Sequence, residues 1–460
     1  MIVTDQYEPM VGGVPTVTRE LARGLAERGH AVAVIAPSTS LHSTSLHSTA
    51  PHGTAPRGTG LRGTGLRGTG LRGASAHRTS RDRTSQHGDG RPGRPAAPVT
   101  VDYRGSLPWP WYEGQRLGLL PPAAAGRAIT AFAPDVLHLH SPLTLGLAAR
   151  GAARRLGVPV IYTNHYLPLN VWPGLAHAPA GTGGRLAARA REAAFYGVVT
   201  GFANRCDYVT APTVTALRLL RSRGLRAPSR AVSNGVDLER FSPGDGDEAL
   251  RSRYALPAGR PVIVSVGRLS REKRADVLIA AMSRLAAAAG PGGRDRKDAP
   301  VLALAGTGPD DARLRSLARH HGVADRVRFL GFVPDDDLPG LYRLADVFAI
   351  ASQAELQSLA TMAAMASGLP VVAVDAGALA ELVHPGENGF LARPGRAGEV
   401  ADCLGLLCRD PGLRSRMAKA SARIIGDHDR HRLLARWESI YRALARRGTA
   451  EHVKVSDGQP

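Results

Sequence analysis

The stretch AELQSLATMAAMASGLPVVA, Ala354 to Ala373, decides the fold. It reads as an acidic loop, a helix of about nine residues, a glycine stop at Gly368 and a buried apolar strand. The strand-like DVFAIAS lies before it and PVVAVD follows. Strand, loop, helix and strand in that order form one unit of a parallel sheet. The N–H groups of Ser358 and Leu359 open the helix and suit a phosphate or a sugar oxygen. Glu355 stands beside them, and a carboxylate there suits neutral hydroxyls. Eight residues further on, where a second carboxylate would pair with it, the sequence has Ala363.

Outward from this stretch the alternation repeats. PVIVSVG, VLALAG and VRFLG are further strands, with the helix RADVLIAAMSRLAAAA after the first. The N-terminal half carries its own series: MIVTD, AVAVIAP, DVLHLH, VPVIYTNH and DYVTAPT read as strands. The helix GGVPTVTRELARGLAERGH has apolar spacing at Val14, Val17, Leu21 and Leu25, and stops at Gly29. The pattern predicts an α/β protein of two doubly wound, Rossmann-like domains facing a cleft. The boundaries read from it are an N-terminal domain over 1–235, a hinge near Asn234–Asp247 and a C-terminal domain over 236–428. An amphipathic helix follows over 429–447, then a flexible tail over 448–460.

A chain of 460 residues exceeds one ordinary core, which agrees with two domains. It lacks a run of about 18 apolar residues, so no membrane span is expected. The start MIVTDQYEP has neither a basic nor an apolar leader region, so no signal peptide is expected and the chain reads as cytoplasmic. Cys206, Cys403 and Cys408 lack metal spacing and read as reduced thiols. Net charge is +20, of which +7 lies between Ser38 and Pro98. That segment holds the pentad array LHSTS LHSTA PHGTA PRGTG LRGTG LRGTG LRGAS and almost no core-forming residues. It reads as a disordered surface insertion, whose removal is expected to leave the fold intact. With 5% aromatic residues and no stacking cluster, nucleic acid is a poor partner for the charge. Contact with an anionic membrane surface fits better, and a basic composition without any partner is the competing reading.

In doubly wound sheets ligands bind at the strand C-termini. Gly12 and Gly13 follow the first strand and let backbone N–H groups approach an anion. His138 and His140 share one face of DVLHLH; His138 reads as a satisfied core histidine, and His140, nearer the strand end, as a cleft residue. Arg268 and Lys273 follow PVIVSV and can neutralise a departing diphosphate, although Arg271, Glu272 and Arg274 beside them also fit a solvated charge run. Asp335–Asp337 reads as a helix N-terminal cluster. Together these groups suit a sugar carried on a diphosphate.

The sequence resembles the GT-B glycosyltransferases of family 4, which are retaining and use nucleotide sugars. The resemblance rests on SNGVDLERFSP, VGRLSREKRADVLIAAM, LAGTGPD, RFLGFVPDDDLPGLYRLADVF, GENGFL and the opening stretch, with GGVPTVTRELARGLAERGHAVAVIAP and PDVLHLHSP in the first half. It implies a donor diphosphate clamp at Arg268 and Lys273. It implies that Glu355 is the first Glu of an E-x7-E signature and holds donor-sugar hydroxyls. His140 would contact the donor sugar, Gly13 the phosphate, the Leu359 amide the phosphate or sugar, and the Val333 backbone the nucleobase. No metal or cofactor is expected; the donor would be a UDP- or GDP-sugar. The last helix is expected to return to the N-terminal domain. TNHYLPLN together with AELQSLATM looks like the branch acting on diacylglycerol-type lipids.

Two departures stand out. ELQS replaces the usual Glu-Gly-Phe-Gly, so Leu356 and Ser358 narrow the backbone's freedom. Ala363 replaces the second Glu, which usually holds the ribose. The resemblance implies a hydroxyl acceptor: lipid, inositol or another small molecule. Acceptor loops are expected around Tyr103–Pro122 and His165–Pro179. An inactive binding or partner subunit is the alternative.

Overall fold

The computed structural model describes residues 1–38, 98–109, 116–171, 182–288 and 299–447. The pentad array and the tail lie outside the described residues. The first half runs β1 (Ile2–Val3), α1 (Gly13–Glu27), β2 (Ala33–Pro37), β3 (Thr100–Arg104), β4 (Ser106–Pro108), β5 (Arg116–Gly118) and α2 (Pro122–Phe132). It continues with β6 (Leu137–Leu139), α3 (Thr144–Arg155), β7 (Val160–Thr163), α4 (Pro168–Val171), α5 (Thr182–Ala203), β8 (Tyr208–Ala211), α6 (Val214–Ser222) and β9 (Ser229–Ala231). After α7 (Glu248–Arg253) come β10 (Val262–Val266), α8 (Ala275–Ala288), β11 (Val301–Ala305), α9 (Asp311–His320) and β12 (Val327–Gly331). Then follow α10 (Leu338–Arg343), β13 (Val347–Ile350), α11 (Leu359–Ala366), β14 (Val371–Val374), β15 (Gly389–Ala392), α12 (Ala397–Arg409), α13 (Pro411–Ile425) and α14 (Arg430–Arg447).

Two parallel sheets result. The first has strand order β3-β2-β1-β6-β7-β8-β9, the second β12-β11-β10-β13-β14-β15. Ile2 pairs with both Val34 and His138, and Ile263 with both Leu302 and Val347, so strand order reverses beside β1 and beside β10. Those reversals open the crevices in which such sheets bind ligands. Strands buried on both faces read as continuous apolar runs, which is why VIVSV, VLALA and VVAV were legible. The short, half-exposed β3 and β9 are not.

One apolar cluster fills the second sheet and its helices, and two cover the faces of the first. The C-terminal helix α14 belongs to the first sheet. Its Leu434, Trp437 and Leu444 pack with Leu21, Ala22 and Leu25 of α1. A Cβ on Gly24 would stand 2.4 Å from Leu434 Cδ1, so glycine lets these two helices approach. The chain crosses over beside Val236, whose N–H donates to His428 O (2.9 Å). Among the described residues no helix is long and apolar enough to cross a membrane.

The parallel pairing of β2 and β3 corrects one expectation. Pro37, at the end of β2, lies opposite Arg104, at the end of β3, while Thr100 at the start of β3 lies opposite Ala33. The chain must therefore travel back about 13 Å between these strands, and parallel neighbours need a connection of about a dozen residues or more. Removing Ser38–Pro98 outright leaves too little chain to pair β3. Ser38 itself is part of this edge: its N–H donates to Arg104 O (2.6 Å), and its carbonyl accepts from Ser106 Oγ (2.5 Å).

Candidate active site

A cavity of about 1320 Å³ runs between the two sheets. It is lined from one side by the loop after β1 and by α1, and from the other by the ends of β10, β11 and β13 and the start of α11. Gly12, Gly13, Arg268, Lys273, Val333, Glu355, Ser358 and Leu359 all line it. These residues lie far apart in sequence, and the topology brings them together. Gly13 and Leu359 face each other across the cleft; a Cβ on Gly13 would stand 3.8 Å from Leu359 Cδ1.

Arg268 follows β10, where Gly267 N donates to Ala305 O and Leu269 N to Thr307 O, both at 2.9 Å. Gly306 has φ +141°, and a Cβ there would stand 2.0 Å from Gly267 O, so no other residue permits these two strand exits to touch. Lys273 ends a 3₁₀ turn, Arg271–Lys273. Its Nζ lies 2.7 Å from Glu355 Oε1, and the Glu355 side chain is 9% exposed. The carboxylate therefore balances the charge of Lys273, a pairing that no local sequence pattern signals. The neighbouring charges are paired: Glu272 is buried and accepts from Ser270 Oγ (2.6 Å), and Arg271, half exposed, pairs with Asp310 (3.0 Å).

Glu355 is held from behind. Ala378 N donates to the Glu355 carbonyl (3.0 Å), and Gly377, at φ +58°, would drive a Cβ to 2.5 Å from the same oxygen. Ser358 caps α11: its Oγ accepts from Thr361 N (3.2 Å) and Thr361 Oγ1 (2.8 Å). That leaves the terminal N–H groups of α11 directed along its axis toward the cavity. Ser358 has φ −87°, and Leu356 is absent from the residues with positive φ. ELQS thus imposes no backbone strain. It serves instead as a joint: Gln357 Oε1 accepts from Asn234 N (2.7 Å), its Nε2 donates to Ser233 Oγ (2.9 Å), and Leu356 O accepts from Thr213 Oγ1 (2.8 Å).

His140 is the expected site residue that the structure keeps out of this cavity. It is 1% exposed, stacked beneath His165, with its Nδ1 2.8 Å from His165 Nε2. The end of β6 is covered by the loop after β7, so His165 lines the cavity and His140 supports it. TNH at the end of a predicted strand carries this signal, although by sequence His165 also fits the start of an acceptor loop. His138 is a satisfied core histidine, bound to Tyr441 Oη (2.8 Å) and Thr163 Oγ1 (2.6 Å). Burial holds all three imidazoles neutral: His165 is pushed down to about 4, and His138 and His140 fall well below the ordinary value.

Cross-cleft ion pairs complete the site. Arg19 on α1 reaches Asp335 after β12 (3.3 Å), and Arg430 joins Glu20 (3.0 Å) to Asp237 (3.5 Å). Ala363 is 6% exposed and lines the cavity.

Two facing doubly wound sheets thus enclose a cationic, amide-lined cleft. Residues 83–240 match the family model described as Glycosyltransferase Family 4, and residues 246–423 match that described as Glycosyl transferases group 1. The chain belongs to the family 4 glycosyltransferases of the GT-B fold. It is 32% identical over 327 residues to a D-inositol 3-phosphate glycosyltransferase of Acidothermus cellulolyticus, covering 69% of each chain. Identity is 34% over 315 residues to the enzyme of that name from Salinispora arenicola, covering 65% of this chain and 66% of the relative. A GDP-mannose-dependent alpha-mannosyltransferase of Mycobacterium tuberculosis is 32% identical over 244 residues, 53% of this chain and 56% of the relative. The chain thus spans less than two thirds of the length of these last two. Among solved structures, sucrose-phosphate synthase from Thermosynechococcus elongatus superposes with a TM-score of 0.70 at 19% identity, over 96% of this chain and 98% of that one. Anabaena HepE in complex with UDP-glucose gives 0.66 at 19% identity, over 96% and 99%.

Proposed function

We propose that the protein is a retaining, metal-independent glycosyltransferase that moves a hexosyl group from a UDP- or GDP-sugar to a hydroxyl acceptor. The observation that carries this reading is the convergence of Arg268, Lys273, Glu355, the α11 amides and the Gly12–Gly13 turn on one cavity. Arg268 and Lys273 take the diphosphate, and charge-assisted hydrogen bonds there are strongest where the leaving group gathers negative charge. The N–H groups of Ser358, Leu359 and Gly13 supplement them. Glu355 holds sugar hydroxyls, with Lys273 fixing its orientation. Val333, buried after β12, offers its backbone to the base. His165, with His140 behind it, faces the reacting end of the sugar as a neutral imidazole. The acceptor oxygen attacks on the face that the diphosphate leaves, and the leaving phosphate takes its proton. Position and charge stabilisation supply the acceleration.

The relatives' names support both a GDP-sugar and an inositol-type acceptor, and the UDP-glucose bound to HepE supports the other nucleotide. The net charge of +20 favours peripheral work at the anionic inner face of the cell membrane, in keeping with the lipid-acting branch. Transfer assays on the wild type and Glu355→Ala test the reading. The variant should bind nucleoside diphosphate and lose transfer; unchanged turnover removes the sugar-site assignment. A second reading, a binding or partner subunit, draws on Ala363 and on the repeat insertion over 38–98.

A further inference from the structure

The loop that carries Glu355, between β13 and α11, has no regular structure of its own. Part of what holds it belongs to the other domain. Helix α6 stands in the N-terminal domain, with Leu217 and Leu220 buried in the core of the first sheet. Its first turn contains no acidic residue, and its opening N–H groups are satisfied from two sources. Thr213 Oγ1 accepts from Ala216 N (3.1 Å), as a local cap does. Val214 N and Thr215 N donate instead to Oε2 (3.1 Å) and Oε1 (2.5 Å) of Glu381, a residue of the C-terminal domain. A carboxylate there meets both the free N–H groups and the positive end of the helix dipole. Glu381 is a firm platform: it ends the 3₁₀ turn Leu379–Glu381, and Leu379 and Leu382 are buried in the core of the second sheet.

The helix end fixed in this way brings Thr213 to the loop. Its O–H donates to Leu356 O (2.8 Å), and the Leu356 side chain packs against the apolar core of the first sheet. Glu355 therefore lies between two anchors. Its own carbonyl accepts from Ala378 N (3.0 Å), at the head of the turn that ends in Glu381. The next residue is seated in the N-terminal domain by backbone and side chain together.

We propose that Thr213, Leu356 and Glu381 are positioning residues for transfer, which hold the Glu355 carboxylate in register with Lys273 while the N-terminal domain is docked. The proposal rests on the reading of Glu355 as the sugar-holding group. The three residues act through the backbone on either side of Glu355. A domain that swings away takes Thr213 and the apolar seat of Leu356 with it and leaves a single anchor at Ala378. The sugar end of the donor site is then complete in the closed molecule alone, where both halves line the cavity.

The test pairs hydrogen exchange of the full chain without ligand with titrations of UDP, GDP and their hexose conjugates. Thr213→Val removes the hydroxyl, Thr213→Ser keeps it, and Leu356→Ala removes the apolar seat. Amide exchange over 354–359 should quicken about tenfold in Thr213→Val, Leu356→Ala and Glu381→Ala, and stay near the wild type in Thr213→Ser. Asp410→Ala serves as the control. It removes the cap of α13, where Asp410 Oδ1 accepts from Leu413 N (2.8 Å), away from the cavity lining. It should lower Tm and leave exchange over 354–359 unchanged. In the three disrupting variants kcat should fall about tenfold, and the affinity gained from the sugar should shrink while the bare nucleoside diphosphate binds as to the wild type. Unchanged exchange over 354–359, or a change that Asp410→Ala reproduces, overturns the proposal. So does an equal weakening of nucleoside diphosphate and sugar conjugate. If no sugar nucleotide binds the wild type, the transferase reading fails, and the exchange series still decides whether the N-terminal domain holds the loop.

Discussion

At Ala363 a methyl group lines the cavity where the family signature has a carboxylate. A charged hydrogen bond to a ribose hydroxyl is worth about 1.5–3 kcal/mol, roughly 10–100-fold in affinity. Ala363→Glu is therefore expected to lower the donor KM by a factor in that range while kcat stays nearly constant. Steady-state kinetics decide it, and an unchanged KM removes the ribose argument. The buried imidazoles set a second expectation. Their folded pKa values lie below the unfolded one, so their neutral forms favour the fold above about pH 6.5, and stability is lost as pH falls from there. For His165, pushed down to about 4, the loss reaches about 3 kcal/mol. Asp5 works in the opposite sense. Burial raises its carboxyl to about 6, so its stabilising contribution is full below about pH 4 and fades as pH rises through 6. Asp5→Asn should remove that fading, visible as a flatter Tm between pH 4 and 7. At this scale the sequence revealed residue types but not pairings. Lys273 with Glu355 and His140 beneath His165 depend on how two loops fold over strand ends, and no local pattern encodes that.

The ELQS segment, the start of α11 and the hinge act as one element. Gln357 satisfies a backbone N–H and a hydroxyl of the crossover segment while its neighbours Glu355 and Ser358 line the cavity. Gln357→Ala removes two hydrogen bonds at about 1 kcal/mol each, so denaturant unfolding should show a loss of about 1–2 kcal/mol and donor binding should weaken in parallel. The edge pair β2–β3 makes a different demand. Joining residue 38 directly to residue 98 should unpair β3 and lower Tm sharply, whereas a Gly/Ser linker of about 12 residues in place of 39–97 should restore it. Equal behaviour of the two variants contradicts the crossover argument. The apolar central strands and the long helices were legible because burial on both faces forces continuous hydrophobic runs. β3 was not: TVDYR is exposed at its first residue and only half-buried along the rest, so it shows no such run.

On the scale of the whole molecule, α14 and the ion pairs Arg19–Asp335 and Arg430–Asp237 tie the halves together around the cleft. The doubly wound architecture could be read from the alternation of strand and helix. The closeness of Gly13 to Leu359 could not, because it is a contact between sheets with no sequence periodicity behind it. The central claim is that this cleft holds a nucleotide sugar on Arg268 and Lys273. Calorimetric titration of a panel of UDP- and GDP-hexoses into the wild type and Arg268→Ala tests it most directly. One sugar nucleotide should bind with a single site per chain, and Arg268→Ala should weaken it tenfold or more, about 1.4 kcal/mol at least; a panel that fails to bind, or a variant that binds as tightly as the wild type, would contradict it.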